Sequence, residues 1–191
     1  MTTEPVADNT EAKKIGILVL GLGNVLLGDD GLGAAAIARL EQNYRVPAGV
    51  RLEDGGTLGL SLLGLLAEAE HVILVDAVAA ESPPGTLIRL DGVDVSDAVR
   101  DRLSPHQIGV ADLLEAARLI ESYPATVTLL GLVPDSIDLA VARSSAVADR
   151  LDELVAAIVR EVQSLGYTMV RDPDSVDRDR PIHNLTRYFG M

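Results

Sequence analysis

The sequence predicts a single α/β domain: a twisted, mainly parallel sheet of about five strands with helices on both faces. Two observations carry this. Apolar runs of strand length alternate with amphipathic stretches of helical period, the pattern that right-handed crossovers between parallel strands produce. The runs themselves, "IGILVLG", "HVILVDAV" and "TVTLLGLVP", are apolar almost throughout, as strands covered on two faces are.

In chain order, residues 1–13 read as a polar leader and 14–167 as the α/β body. "IGILVLG" is the first strand; a glycine-rich turn, "GLGNVLLGDDGLG", leads from it into the helix "DGLGAAAIARLEQNY". "VRLED", "TLGLSLLGLLAEAE" and "HVILVDAV" follow as strand, helix and strand. "GTLIRLDGVDV", entered through Pro-Pro-Gly and interrupted by Asp-Gly, reads as a short strand that breaks the parallel pattern, antiparallel or at an edge. "SPHQIGVADLLEAARLI" supplies a loop and a helix, and "TVTLLGLVP" a further buried strand. "SSAVADRLDELVAAIVREVQSLG" reads as one long amphipathic helix, opened by serine and closed by glycine. Residues 168–191 are expected to be a polar linker and tail, with Tyr188 and Phe189 near the end.

Bulk composition narrows the function. The chain has 191 residues, enough to bury one core. A formal net charge of -13 leaves no basic face for nucleic acid or an anionic membrane. The acidic N-terminus lacks the cationic start of a signal peptide, and no apolar run approaches the roughly 18–20 residues of a spanning helix. A cytoplasmic protein is the expectation. With no cysteine, disulfides, thiolate ligands and a cysteine nucleophile are all excluded.

Strands of an open α/β sheet deliver functional groups from their carboxyl ends. Asn24, Asp29 and Asp30 follow the first strand, Asp54 ends the second, Asp76 lies inside "VILVDAV", and His106 stands in "SPHQIG" at a helix entry. Flanked by Val75 and Ala77, Asp76 loses hydration and needs a compensating partner. Two carboxylates and an imidazole at this edge would suit a borderline divalent ion such as nickel or zinc, with positions open to a substrate. The plainer reading is capping, which at about 1 kcal/mol explains one of Asp29 and Asp30 but not both, and which would equally serve Asp76 or His106. Asp54 reads as shaping the Gly55-Gly56 turn; His71 and His183 read as structural or solvated.

Rival motifs fit less well. "GLGNVL" has Leu26 where a dinucleotide fingerprint wants its third glycine. "GLGAAA" from Gly31 fits the looser form with Ala36, but Asp29 and Asp30 would then face a pyrophosphate with like charge. "GLSLL" around Ser61 lacks the closing glycine of a nucleophile elbow, and no HExxH or P-loop is present.

Taken together, "GLGNVLLGDDGLG", "DGGTLG", "VILVDAV", "SPHQIGVADLL" and "LLGLVP", in that order between about Ile15 and Gly166, resemble the hydrogenase maturation proteases. The resemblance implies a cytoplasmic monomeric endopeptidase. Its partner is the large-subunit precursor of a nickel-iron hydrogenase, from which it removes a C-terminal peptide once nickel is inserted. It also implies that Asp30, Asp76 and His106 are the metal-binding and catalytic residues, acting on nickel supplied by the precursor; Asp30 stands where the family often has glutamate. Gly21, Gly23, Gly55 and Gly56 would let the substrate chain approach the backbone. Two other readings stand beside it: a non-catalytic metal or assembly chaperone using the same ligands, and a nucleotide-binding α/β protein.

Overall fold

The computed structural model describes residues 15–92, 94–95, 105–173 and 175, with residues 105–109 described by backbone only. Five strands form the main sheet: β1 (Ile15–Leu22), β3 (Val50–Gly56), β4 (Ala69–Ala77), β5 (Leu87–Asp91) and β6 (Thr126–Leu132). Their spatial order is β3-β1-β4-β6-β5. The first four run parallel, and β5 closes one edge antiparallel to β6, as its Pro-Pro-Gly entry and Asp-Gly exit suggest.

Because side chains alternate along a strand, the apolar runs feed two separate cores. Ile17, Val19, Ile73, Val75, Leu130 and Leu132 face α1 (Leu32–Asn43) and, further along the chain, the helix Leu151–Ser164. Leu18, Leu20, Val72, Leu74 and Val127 face the opposite way, onto α2 (Leu63–Ala67) and α3 (Pro105–Leu119). Each fully buried leucine or isoleucine contributes about 1.5–3 kcal/mol, and the three central strands hold most of them. Among the described residues no helix is long and apolar enough to cross a membrane.

The chain leaves β1 for β3 on one side and then crosses to β4 on the other, so the carboxyl ends of β1 and β4 flank the point where strand order reverses. A crevice opens at such a point in α/β sheets. The closeness of α1 to this edge depends on glycine: a Cβ on Gly33 would lie 2.3 Å from both the N and the O of Leu22 and 2.6 Å from the Val75 carbonyl oxygen.

Three elements differ from expectation. The helix expected across "TLGLSLLGLLAEAE" is a 3-10 turn at Gly59–Leu62 followed by the five residues of α2; Leu58 and Leu60 face solvent, so their apolar letters do not mark a buried stripe. The long C-terminal helix is two: α4 (Ser145–Ala148) and α5 (Leu151–Ser164). The Arg150 N–H bonds the Val147 carbonyl three residues back, a tightened turn between the two helices. Finally, β2 (Tyr44–Arg45) and β7 (Val170–Arg171) pair antiparallel, and the Asp172 N–H donates to the Asn43 carbonyl. The leader, and the tail with His183, Tyr188 and Phe189, lie outside the described residues.

Candidate active site at the sheet's carboxyl edge

Beyond β1 the chain folds back on itself. Gly23 has φ +109°, and a Cβ there would lie 1.9 Å from the Asp30 carbonyl oxygen, so only glycine lets the loop close. Asn24 continues the closure, its Oδ1 accepting from the Leu26 N–H at 3.0 Å while its own N–H donates to Asp30 Oδ2 at 2.7 Å. The two acids then sit in a 3-10 turn, Gly28–Gly31, which lies against the end of β4. Neither caps α1: its N-cap is Gly31, with no side-chain cap bond.

Consecutive residues of a 3-10 turn point about 120° apart, and the two carboxylates serve different regions. Asp30 is 2% exposed and holds the loop start. Asp29 is 1% exposed and reaches the segment after β6: Oδ2 accepts from the Asp135 N–H at 2.8 Å, the Ser136 N–H at 3.2 Å and the Ser144 hydroxyl at 2.8 Å, and Oδ1 from the Ser144 N–H at 2.7 Å. Burial pushes the Asp29 carboxyl up. The Ser144 and Asp135 N–H groups, the Ser144 hydroxyl and the Ser136 N–H outweigh it and hold the group below its ordinary value. Burial also lowers the neighbouring Arg143 guanidinium, against the opposing pull of Asp29 and with the push of Arg39. This use of Asp29 is absent from the sequence reading; its one trace was the second acid that capping left unexplained.

Asp76, 4% exposed, ends β4 between β1 and β6, opposite Gly131. Its Oδ1 accepts the Ala77 N–H at 2.8 Å, a local partner for the dehydrated carboxylate that the sequence called for. Strand alternation puts Asp76 between Leu74 and Val78 on the face that α3 covers. His106 is the second residue of α3, a helix whose later turns bury Val110, Leu113 and Leu114 in that same core; its side chain lies outside the described residues. Two of the three expected ligands are therefore buried carboxylates, one in the turn after β1 and one at the end of β4. Among the described residues no three His, Cys, Asp or Glu side chains gather as a metal cage.

The remaining sequence expectations sort clearly. Asp54 Oδ1 accepts the Gly56 N–H at 3.1 Å, forming the expected turn. His71 meets the Thr126 hydroxyl at 2.8 Å. Gly21, Gly23 and Gly55 do not lie open to a passing substrate chain: a Cβ at Gly21 or Gly55 would lie 2.6 Å from the Gly33 carbonyl oxygen or 2.8 Å from Leu20 Cδ1. Their missing side chains make room for the protein's own packing. A cavity of about 440 Å³, lined by Arg118, Tyr123 and Thr126, lies at the opposite edge of the sheet.

Known proteins resemble this chain in sequence and fold. The family model described as hydrogenase maturation protease matches residues 35–161. The hydrogenase 2 maturation protease of Escherichia coli K12 is 38% identical over 149 residues, 76% of this chain and 91% of that protein. The hydrogenase expression/formation protein HupD of Rhodobacter capsulatus is 37% identical over 180 residues, 86% of each. The solved structure of the hydrogenase maturating endopeptidase HybD from E. coli superposes with a TM-score of 0.81 at 34% identity, covering 84% of this chain and 99% of that one. The sheet order, the two buried carboxylates at its carboxyl edge and this similarity along most of the chain lead to one assignment: the chain belongs to the hydrogenase maturation proteases, a family of peptidases.

Proposed function

We propose that this chain is the cytoplasmic endopeptidase that removes the C-terminal peptide from the nickel-loaded precursor of a nickel-iron hydrogenase large subunit, and that Asp30, Asp76 and His106 grip the precursor's nickel. The observation that carries this reading is the pair Asp30 and Asp76. Both carboxylates are almost wholly buried, Asp30 in the turn that follows β1 and Asp76 at the end of β4, the two strands that flank the point of order reversal, and each has an oxygen held by a backbone N–H. A carboxylate held dry by burial and oriented by backbone N–H groups binds a divalent ion arriving with the substrate more strongly than a solvated one would.

The donor set, two carboxylate oxygens and an imidazole nitrogen, suits a borderline ion and leaves room for ligands that the precursor keeps. The N–H groups of Asn24 and Ala77 orient the carboxylates before the ion arrives, so little ordering remains to be done on binding. The gripped nickel, as part of the substrate, would polarise the scissile carbonyl. An empty precursor offers these residues no anchor. The dinucleotide alternative loses its support, because the close contact of Gly33 with Leu22 and Val75 fills the space where a pyrophosphate would approach.

The test is to incubate the full chain with precursor, with and without bound nickel, and weigh the products. Loss of a C-terminal peptide from the loaded precursor alone is the expected result; equal processing of both, or of neither, contradicts the proposal.

A further inference from the structure

The exposed apolar side chains are not scattered. Ten large ones are exposed among the described residues, and six of them, Leu26, Leu58, Leu60, Ile137, Leu139 and Val141, come from the three segments that follow β1, β3 and β6. Those segments leave the sheet at its carboxyl edge, where Asp30 and Asp76 sit. Leu139 is 83% exposed and Val141 62%, in a chain whose acidic surface otherwise favours water.

The segment after β6 is not a loose loop. The Ala140 N–H donates to the Leu26 carbonyl at 3.0 Å, the Gly28 N–H to the Ala140 carbonyl at 2.7 Å and the Asp29 N–H to the Ser136 carbonyl at 3.1 Å; Leu27 and Ala140 form a parallel bridge. The Asp29 carboxylate holds both ends of the segment, at Asp135–Ser136 and at Ser144. Ile137, Leu139 and Val141 are thus carried by a strap bonded directly to the turn that bears Asp30.

We propose that Asp29 is a positioning residue for substrate docking: it locks residues 135–144 onto the Asp30 turn, so that Leu26, Ile137, Leu139 and Val141 form a preformed apolar lip on which the precursor protein seats beside the metal-gripping residues. This rests on the maturation-protease reading. A protease whose substrate is a folded protein needs a protein-binding surface continuous with its site, and the lip has that continuity through the Leu27–Ala140 bridge. Fixing the lip before encounter removes an ordering cost from binding, so the effect belongs in KM and not in the chemical step.

The experiment measures kcat and KM of the full chain on nickel-loaded precursor for the unaltered protein, Leu139→Ser, Asp29→Asn and the double variant. Leu139→Ser removes only an exposed side chain, so its fold is not at risk. Each single change is expected to raise KM by about tenfold with kcat within about twofold, and the double variant to be little worse than the worse single, because both act through one element. Should Asp29→Asn fail to fold, Ser144→Ala, which deletes the hydroxyl that donates to Asp29 and caps α4 by accepting the Val147 N–H, takes its place with the same expectation. Unchanged KM in Leu139→Ser, fully additive effects, or an Asp29→Asn loss confined to kcat each overturn the lip while the unaltered chain still cleaves. An unaltered chain that does not cleave the loaded precursor overturns the protease reading, and the lip with it.

Discussion

Asp29 and Ser144, 115 residues apart in the chain, are joined twice, the Ser144 N–H meeting Oδ1 at 2.7 Å and its hydroxyl meeting Oδ2 at 2.8 Å. One carboxylate thereby fastens the loop after β6 to the loop after β1, while its neighbour Asp30 faces the start of its own loop. Adjacent acids have separate duties.

That separation predicts opposite mutational signatures. Asp29→Ala leaves the Ser144, Asp135 and Ser136 donors without their acceptor, a cost of about 3–5 kcal/mol. In a domain of this size it corresponds to a Tm fall of the order of 10 °C. Asp30→Asn keeps an oxygen for the Asn24 N–H and is expected to cost about 1 kcal/mol while abolishing cleavage. Urea unfolding and a cleavage assay on both variants check the pair; an Asp30→Asn variant as unstable as Asp29→Ala would contradict it.

The depressed Asp29 carboxyl sets a pH signature. Its folded-state value lies below the usual 3.8, so the charged form stabilises the fold; that contribution is complete above the unfolded value and is lost as pH falls through the folded one. The stability gap between the unaltered chain and Asp29→Asn is therefore expected to shrink as pH falls below the usual carboxylate value of 3.8 and through the depressed one. Urea midpoints across that range measure it, and a constant gap would show that the charge on Asp29 contributes nothing.

Gly131 is predicted to be irreplaceable for a reason outside its own strand. A Cβ there would lie 2.1 Å from the Asp76 carbonyl oxygen and 2.7 Å from Val78 Cγ2. Gly131→Ala must push the end of β4 away, costing about 1–3 kcal/mol as overpacking does, and must displace Asp76 with it. Cleavage is expected to fall further than stability; an alanine variant with normal activity would mean that Asp76 tolerates displacement or takes no part.

The sheet was legible because its strands state their burial in their own letters: "HVILVDAV" admits little besides a central strand, and the Pro-Pro-Gly and Asp-Gly around β5 announce the antiparallel edge. Asp54 and its turn were readable because the bond spans two residues. What stayed hidden is set by distant chain. The partners of Asp29 lie 106 to 115 residues away. Three of the four glycines expected to welcome a substrate, Gly21, Gly23 and Gly55, instead make room for the protein's own packing, while a Cβ on Gly56 would meet nothing closer than 4.0 Å; two-residue strands such as Tyr44–Arg45 and Val170–Arg171 are too short to leave a period. Asp76 stood out as an acid inside an apolar run and Asp30 through the family resemblance; that the loop after β1, which bears Asp30, and the end of β4 flank the order reversal needed the topology.

The central claim is that Asp30, Asp76 and His106 recognise nickel held by the substrate, and it is tested most directly by affinity. Binding of loaded and empty precursor is measured for the unaltered chain and for Asp30→Asn, Asp76→Asn and His106→Gln. The account predicts that the unaltered chain prefers loaded precursor by at least about tenfold, roughly 1.4 kcal/mol, and that each substitution erases that preference while affinity for empty precursor stays the same. Equal affinity of the unaltered chain for both forms, or a preference that survives all three substitutions, would contradict it.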